Sequence, residues 1–79
     1  MLKPLSEAAK SLEKDGIYEH YKGMRYQLLA VGRHSETLEE VVIYQALYGE
    51  GDIWVRPLEM FIENIDKDGE TLPRFKRVD

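Results

Sequence analysis

Between Gly16 and Phe61 the chain sets down short runs of β-forming residues, each closed by a turn signal. Ile17-Tyr-Glu-His-Tyr21 alternates and is rich in aromatic residues, and Lys22-Gly23 follows it. Arg25-Tyr-Gln-Leu-Leu-Ala-Val31 is a second run, Val41 to Tyr48 a third, and Ile53-Trp-Val-Arg56 a fourth, stopped by Pro57. β-branched and aromatic residues suit the pleated, half-buried surface of a sheet, and proline cannot donate to a ladder. The turn after Tyr48 is Gly49-Glu-Gly-Asp52. Leu58 to Phe61 is either one 3₁₀ turn or the start of another strand. Ile62 to Ile65 reads as extended, Asp66-Lys-Asp-Gly69 as a turn, and Leu72 to Val78 as a last strand whose Pro73 belongs on an edge. The expected fold is mainly β: a small, partly open SH3-like barrel of five or six short strands.

Two places carry conflicting signals. Thr37-Leu-Glu-Glu40 matches a helix capping box, yet four β-formers, Val41 to Tyr44, come next. The strand is taken here, with a helix from Leu38 to Leu47 as the alternative. In the first hairpin, a two-residue Lys22-Gly23 loop pairs Tyr21 with Met24 and Glu19 with Tyr26, which puts Tyr18 and His20 on the wet face. A slip of one residue exchanges the two faces.

Residues 1–14 read as a tail or short helix ahead of a single β domain from residue 15 to residue 79. Leu5, Ala8, Ala9 and Leu12 form a narrow apolar stripe at helical spacing, and Asp15-Gly16 stops it.

Composition narrows the function. With 79 residues and no cysteine, the fold has neither disulfides nor thiolate metal sites as staples. No apolar run is long enough to span a bilayer and no signal sequence opens the chain, so a cytoplasmic location and no membrane partner are expected. The net charge is −4: residues 1–14 carry +1 and the remainder −5, with 8 Lys and Arg against 13 Asp and Glu. That balance disfavours nucleic acid, although Arg25, Arg33, Arg56, Arg74, Lys76 and Arg77 allow a local contact.

Several separated motifs, in order, resemble the bacterial domain-of-unknown-function family numbered 1653. They are Gly16-Ile-Tyr-Glu-His-Tyr-Lys-Gly23, His34-Ser-Glu-Thr-Leu-Glu-Glu40, Tyr44, Leu47-Tyr-Gly, Trp54-Val-Arg-Pro-Leu-Glu-Met-Phe61 and Pro73-Arg-Phe75. The resemblance runs from about Asp15 to Val78; Met24 departs from it, where a turn-forming Asn is expected. It implies a small stand-alone bacterial protein and brings no activity, cofactor or catalytic residue with it.

Function therefore rests on the residues. Arg33-His34-Ser35-Glu36-Thr37 gathers a cation, an imidazole, two hydroxyls and a carboxylate in one polar loop. Neighbouring residues seldom converge as a catalytic triad, and Ser35 and Thr37 also suit a capped turn. Two histidines with Glu19 and Glu36 make a weak metal set, so neither a metal nor a cofactor is expected. Of the aromatic residues, most belong in the core, with Tyr18 and one of Tyr44 or Tyr48 the candidates for exposure. Arg56, beside Trp54, suits bidentate capture of a carboxylate or phosphate; the plainer reading ties it to Glu59 or Glu63. The expected role is a non-catalytic binding or accessory module for a small polar or anionic ligand or a protein segment. Its expected face joins His20, Arg25, Arg33, His34, Ser35, Thr37, Tyr44, Trp54 and Arg56. The alternatives are a small hydrolase or transferase using His34 or His20, and a local nucleic-acid contact.

Overall fold

The computed structural model describes residues 4–79; the first three residues of the expected N-terminal tail lie outside the described residues. The element order is α1 (Glu7–Ser11), β1 (Ile17–His20), β2 (Arg25–Arg33), β3 (Glu40–Ala46), β4 (Ile53–Pro57), α2 (Leu58–Ile62), β5 (Asn64–Lys67), β6 (Glu70–Pro73) and β7 (Phe75–Arg77). A five-stranded antiparallel sheet runs β4-β3-β2-β1-β7, and β5 and β6 form a separate two-stranded ribbon. The sheet is mainly β in the expected sense and does not close, which makes it an open SH3-like fold.

Register decides the faces. β1 and β2 pair as Ile17↔Gln27, Tyr18↔Tyr26 and Glu19↔Arg25, one residue away from the two-residue-loop register. The His20 N–H donates to the Met24 carbonyl and the Gly23 N–H to the His20 carbonyl, so the turn holds Tyr21, Lys22 and Gly23. Gly23, at φ 103°, takes the left-handed step that this three-residue loop requires. The slip corrects the expected faces: Tyr18 and His20 turn into the core beside Tyr26 and Leu28, and Ile17, Glu19, Arg25 and Gln27 turn away. Apolar burial drives this choice, because the shifted register takes the rings of Tyr18 and His20 out of water.

A bulge between Leu28 and Ala30 resets the alternation in β2, so Val31, opposite Val42, again packs on the core. β3 is a strand, not a helix, and its residues Val42, Tyr44 and Ala46 face the core. β4 pairs Tyr44 with Trp54 and Val42 with Arg56. The stretch after Pro57 is one α-helical turn that buries Leu58 and Phe61.

The core is aromatic. Phe75 and Phe61 stack with centroids 4.2 Å apart and planes 9° off parallel. Tyr44, Tyr26 and His20 meet the Phe75 ring at 5.5, 5.7 and 5.0 Å, and Tyr18 meets the edge of Phe61 at 5.5 Å. Helix α1 closes one end of this core with Ala9, while Leu5, Ala8 and Leu12 pack beside it. The expected apolar stripe is therefore the docking face of α1. Ser6 caps the helix by accepting from the Ala9 N–H, and the Glu40 carboxylate accepts from both the Ser6 N–H and hydroxyl at 2.7 Å. Those two bonds hold the Glu40 carboxyl below its usual range. Gly16 is buried where the chain leaves α1; a Cβ there would lie 3.0 Å from the Glu13 carbonyl.

Two predictions follow from this packing. Phe61→Ala opens a cavity under Phe75 and is expected to lower the stability by about 3–5 kcal/mol in urea unfolding; a loss below about 1 kcal/mol contradicts the packing. Leu38 sits exposed at φ 65°, a left-handed conformation that costs a residue with a Cβ. Leu38→Gly is expected to raise the stability in urea unfolding by up to about 1 kcal/mol, and a lowered stability contradicts this reading of the loop.

Candidate functional site

The nine expected site residues separate in space. β2 spans the sheet from Arg25 to Arg33, roughly 27 Å at the usual rise per strand residue. The loop with His34, Ser35 and Thr37 leaves the far end of β2, beside α1. His20, at the end of β1, lies at the opposite end of the sheet, next to the turn that starts β2. Arg25 projects from the outer face, where its Nε donates to Glu19 at 3.1 Å. His20, Tyr44, Trp54 and Arg56 share the inner face.

The polar loop is held together from within. His34 Nδ1 accepts from the Glu36 N–H at 3.1 Å and the Thr37 N–H at 3.3 Å, and the Thr37 hydroxyl accepts from the Glu39 N–H at 3.2 Å. The Ser35 hydroxyl donates to the Glu36 carboxylate, so it does not meet His34 as a nucleophile meets its base. Arg33 stands opposite Glu40 at the mouth of the loop. Every hydroxyl and the imidazole Nδ1 of this loop thus hold local backbone or a neighbouring carboxylate.

His20 is 8% exposed, with Phe75 edge-on and Tyr21 tilted against it at 4.4 Å. Its Nδ1 accepts from the Lys22 N–H at 3.2 Å, so the neutral ring carries its proton on Nε2. Burial, then the charges of Arg56, Arg74 and Lys22, lower its pKa from 6.5. A shallow cleft of about 130 Å³ opens beside it, lined by Glu19, His20, Tyr21, Leu72, Pro73 and Lys76. Among the described residues, no three His, Cys, Asp or Glu side chains gather as a metal set.

Arg56 is held on the inner face by a hydroxyl and a ring. Its Nε donates to the Tyr44 hydroxyl at 3.0 Å, and its guanidinium carbon lies 5.5 Å from the Phe75 centroid. It forms no ion pair among the described residues: Glu63, one of its expected partners, holds Arg74 instead. Trp54 and Tyr48 stand half-exposed, at 50% and 46%, on the open rim of the same face. The Tyr48 hydroxyl meets the Tyr26 hydroxyl at 2.7 Å, and burial with that contact pushes the Tyr26 phenol up to about 12. Tyr48 is thus one of the two exposed aromatics that sequence suggested; Tyr18, the other, is buried.

Sequence reasoning passed over Phe75 and Tyr26 as members of the site. Both read as ordinary strand aromatics, and only the return of β7 beside β1 brings Phe75 under Arg56. Several of the basic residues that allow a local nucleic-acid contact hold carboxylates. Arg25 is paired with Glu19, Arg74 with Glu63, and Arg77 with Glu13 at 2.7 Å and Asp79 at 2.9 Å. No helix among the described residues is long and apolar enough to cross a membrane.

The model of a family described as a protein of unknown function, DUF1653, matches residues 16–77. A crystal structure of a protein belonging to DUF1653 from Bordetella bronchiseptica is 35% identical, with a TM-score of 0.79 over 89% of this chain and 91% of that one. No curated protein matches.

The buried histidine sets a pH dependence. Its folded pKa is lowered, so the unfolded chain binds more protons as the pH drops, and stability falls below about pH 6.5. The urea midpoint is expected to fall between about pH 7 and pH 5, and to fall less in His20→Asn, which keeps an acceptor for the Lys22 N–H. Equal slopes in the two proteins contradict the assignment.

Proposed function

From the premise that the chain belongs to the DUF1653 family, whose description assigns no function, we propose that it is a non-catalytic binding module for a carboxylate-bearing ligand or protein segment. One observation carries this reading: Arg56 is fixed from behind and unpaired in front. The Tyr44 hydroxyl and the Phe75 ring set the plane of the guanidinium, and the Nη edge has no protein carboxylate among the described residues. A held guanidinium loses less freedom on capturing a carboxylate than a mobile one, and its fork matches two carboxylate oxygens. Trp54, two residues back along β4 on the same face, supplies exposed aromatic surface beside it, a residue type that carries binding energy at small interfaces.

The catalytic alternative draws no support from the placement of the two histidines. His34 Nδ1 is spent on its own loop, and His20 is buried with cations around it. An anionic substrate group is all that those cations favour.

Amide spectra of the labelled protein titrated with succinate and with a short acidic peptide test the reading. The expected shifts fall on the Trp54 indole N–H and on the amides of β4. Arg56→Ala is expected to weaken binding about 10- to 100-fold, while Arg25→Ala leaves it unchanged. Shifts confined to Arg33–Thr37, or a response that survives Arg56→Ala, contradict it.

A further inference from the structure

The two edges of the five-stranded sheet differ. β7 is three residues long and carries Lys76 and Arg77, with Pro73 just before it, all features that discourage strand pairing. β4 carries its charge and its proline only at its last two positions, Arg56 and Pro57, has no bulge, and its Ile53, Trp54 and Val55 are 60%, 50% and 62% exposed. Its unpaired backbone groups follow from the ladder. Ala46 donates to the Asp52 carbonyl at 2.9 Å, which makes Ala46/Asp52, Tyr44/Trp54 and Val42/Arg56 the hydrogen-bonded pairs. The N–H and C=O groups of Ile53 and Val55 therefore point away from β3, and no described residue meets them.

We propose that β4 is the pairing edge of a two-fold homodimer, in an antiparallel register centred on Trp54. In that register Ile53 meets the partner's Val55 and Val55 the partner's Ile53, and each pair exchanges two backbone hydrogen bonds. All four exposed donors and acceptors of each edge are then used. The neighbouring registers do worse. Centred on Val55, the edge needs an N–H from Pro57 to meet the partner's Ile53, and proline has none. Centred on Ile53, it needs the Gly51 N–H, which donates to the Tyr48 carbonyl.

The side chains agree with the Trp54-centred register. Asp52 falls directly opposite the partner's Arg56, and Arg56 opposite the partner's Asp52, on the inner face. Opposite charges there stabilise the pairing, and like charges oppose it. The Asp52 carboxylate has no hydrogen bond or ion pair among the described residues, and Arg56 has no carboxylate. On the outer face, Ile53 and Val55 of both copies, with Ile43 beside Val55, make one apolar strip. The charge pair deepens the proposed function and rests on that reading, with the partner's Asp52 as the carboxylate that Arg56 receives; the backbone and register arguments do not depend on it.

The absence of cysteine makes the register directly testable. Trp54→Cys places two thiols in a non-hydrogen-bonded pair, with Cα atoms about 4.5 Å apart. With oxidised glutathione as the oxidant it is expected to form a disulfide dimer at least about 10-fold faster than Ile53→Cys or Val55→Cys, whose thiols lie on diagonals about 7–8 Å apart. In sedimentation equilibrium the wild-type chain is expected to dimerise reversibly, and Asp52→Arg to weaken the dimer about fivefold or more. A chain that stays monomeric at every concentration overturns the proposal, as does cross-linking no faster at position 54 than at 53 or 55. A monomer that still binds succinate through Arg56 overturns the dimer and leaves the binding reading intact. A Trp54→Cys dimer whose parent ignores succinate supports the dimer and removes the free-ligand reading.

Discussion

The stack of Phe61 on Phe75 is the contact on which the rest of the structure depends. It ties the single helical turn after β4 to the last strand of the sheet, two segments separated by the whole β5–β6 ribbon. Once these rings meet, Tyr18, Tyr26, Tyr44 and His20 close around them edge-on. Edge-to-face and offset packing suits the quadrupoles of aromatic rings and adds to the area they bury. A chain this short has little aliphatic bulk for a core, and an aromatic cluster fills it with few residues.

The same cluster makes the binding face. Phe75 is both the hub of the core and the surface on which Arg56 rests. Tyr44 is buried as a ring, while its hydroxyl reaches Arg56. Tyr26 is buried too, and its hydroxyl reaches the exposed Tyr48. Each tyrosine thus stabilises the fold with its ring and orders the rim with its oxygen, so the stability of the core and the orientation of the site come from the same side chains.

Much of this was legible in the sequence, and the gaps have physical causes. Strand positions are readable from β-branched and aromatic runs because those residues suit the pleated surface of β1 to β4. The β3 strand prevailed over the capping box at Thr37 because Val42 and Tyr44 bury far more apolar area in the sheet than a surface helix offers. The first hairpin lies one residue from its expected register. Lys22-Gly23 suits a two-residue turn, and nothing local says that Tyr21 joins the loop; burial of Tyr18 and His20 against β7 and α2 decides it. The site was readable in part for a similar reason. Arg56, Trp54 and Tyr44 share a face through the pairing of β3 with β4, and His20 joins them only because the shifted hairpin turns it inward. Arg25 and the His34 loop do not join them, since the outer face and the far end of a nine-residue strand are set only by the register and length of β2. Phe75 was out of reach, because its role depends on a return of the chain across the sheet.

The central claim is that the rim between Trp54 and Arg56 receives a carboxylate. Trp54 is the sole tryptophan of the chain, so its fluorescence reports on that rim alone. The most direct measurement is its emission during a succinate titration of the wild-type protein and of Arg56→Ala. A saturable change in the wild type that is lost in Arg56→Ala is the predicted result. An emission that does not move, or that moves equally in both proteins, contradicts the claim.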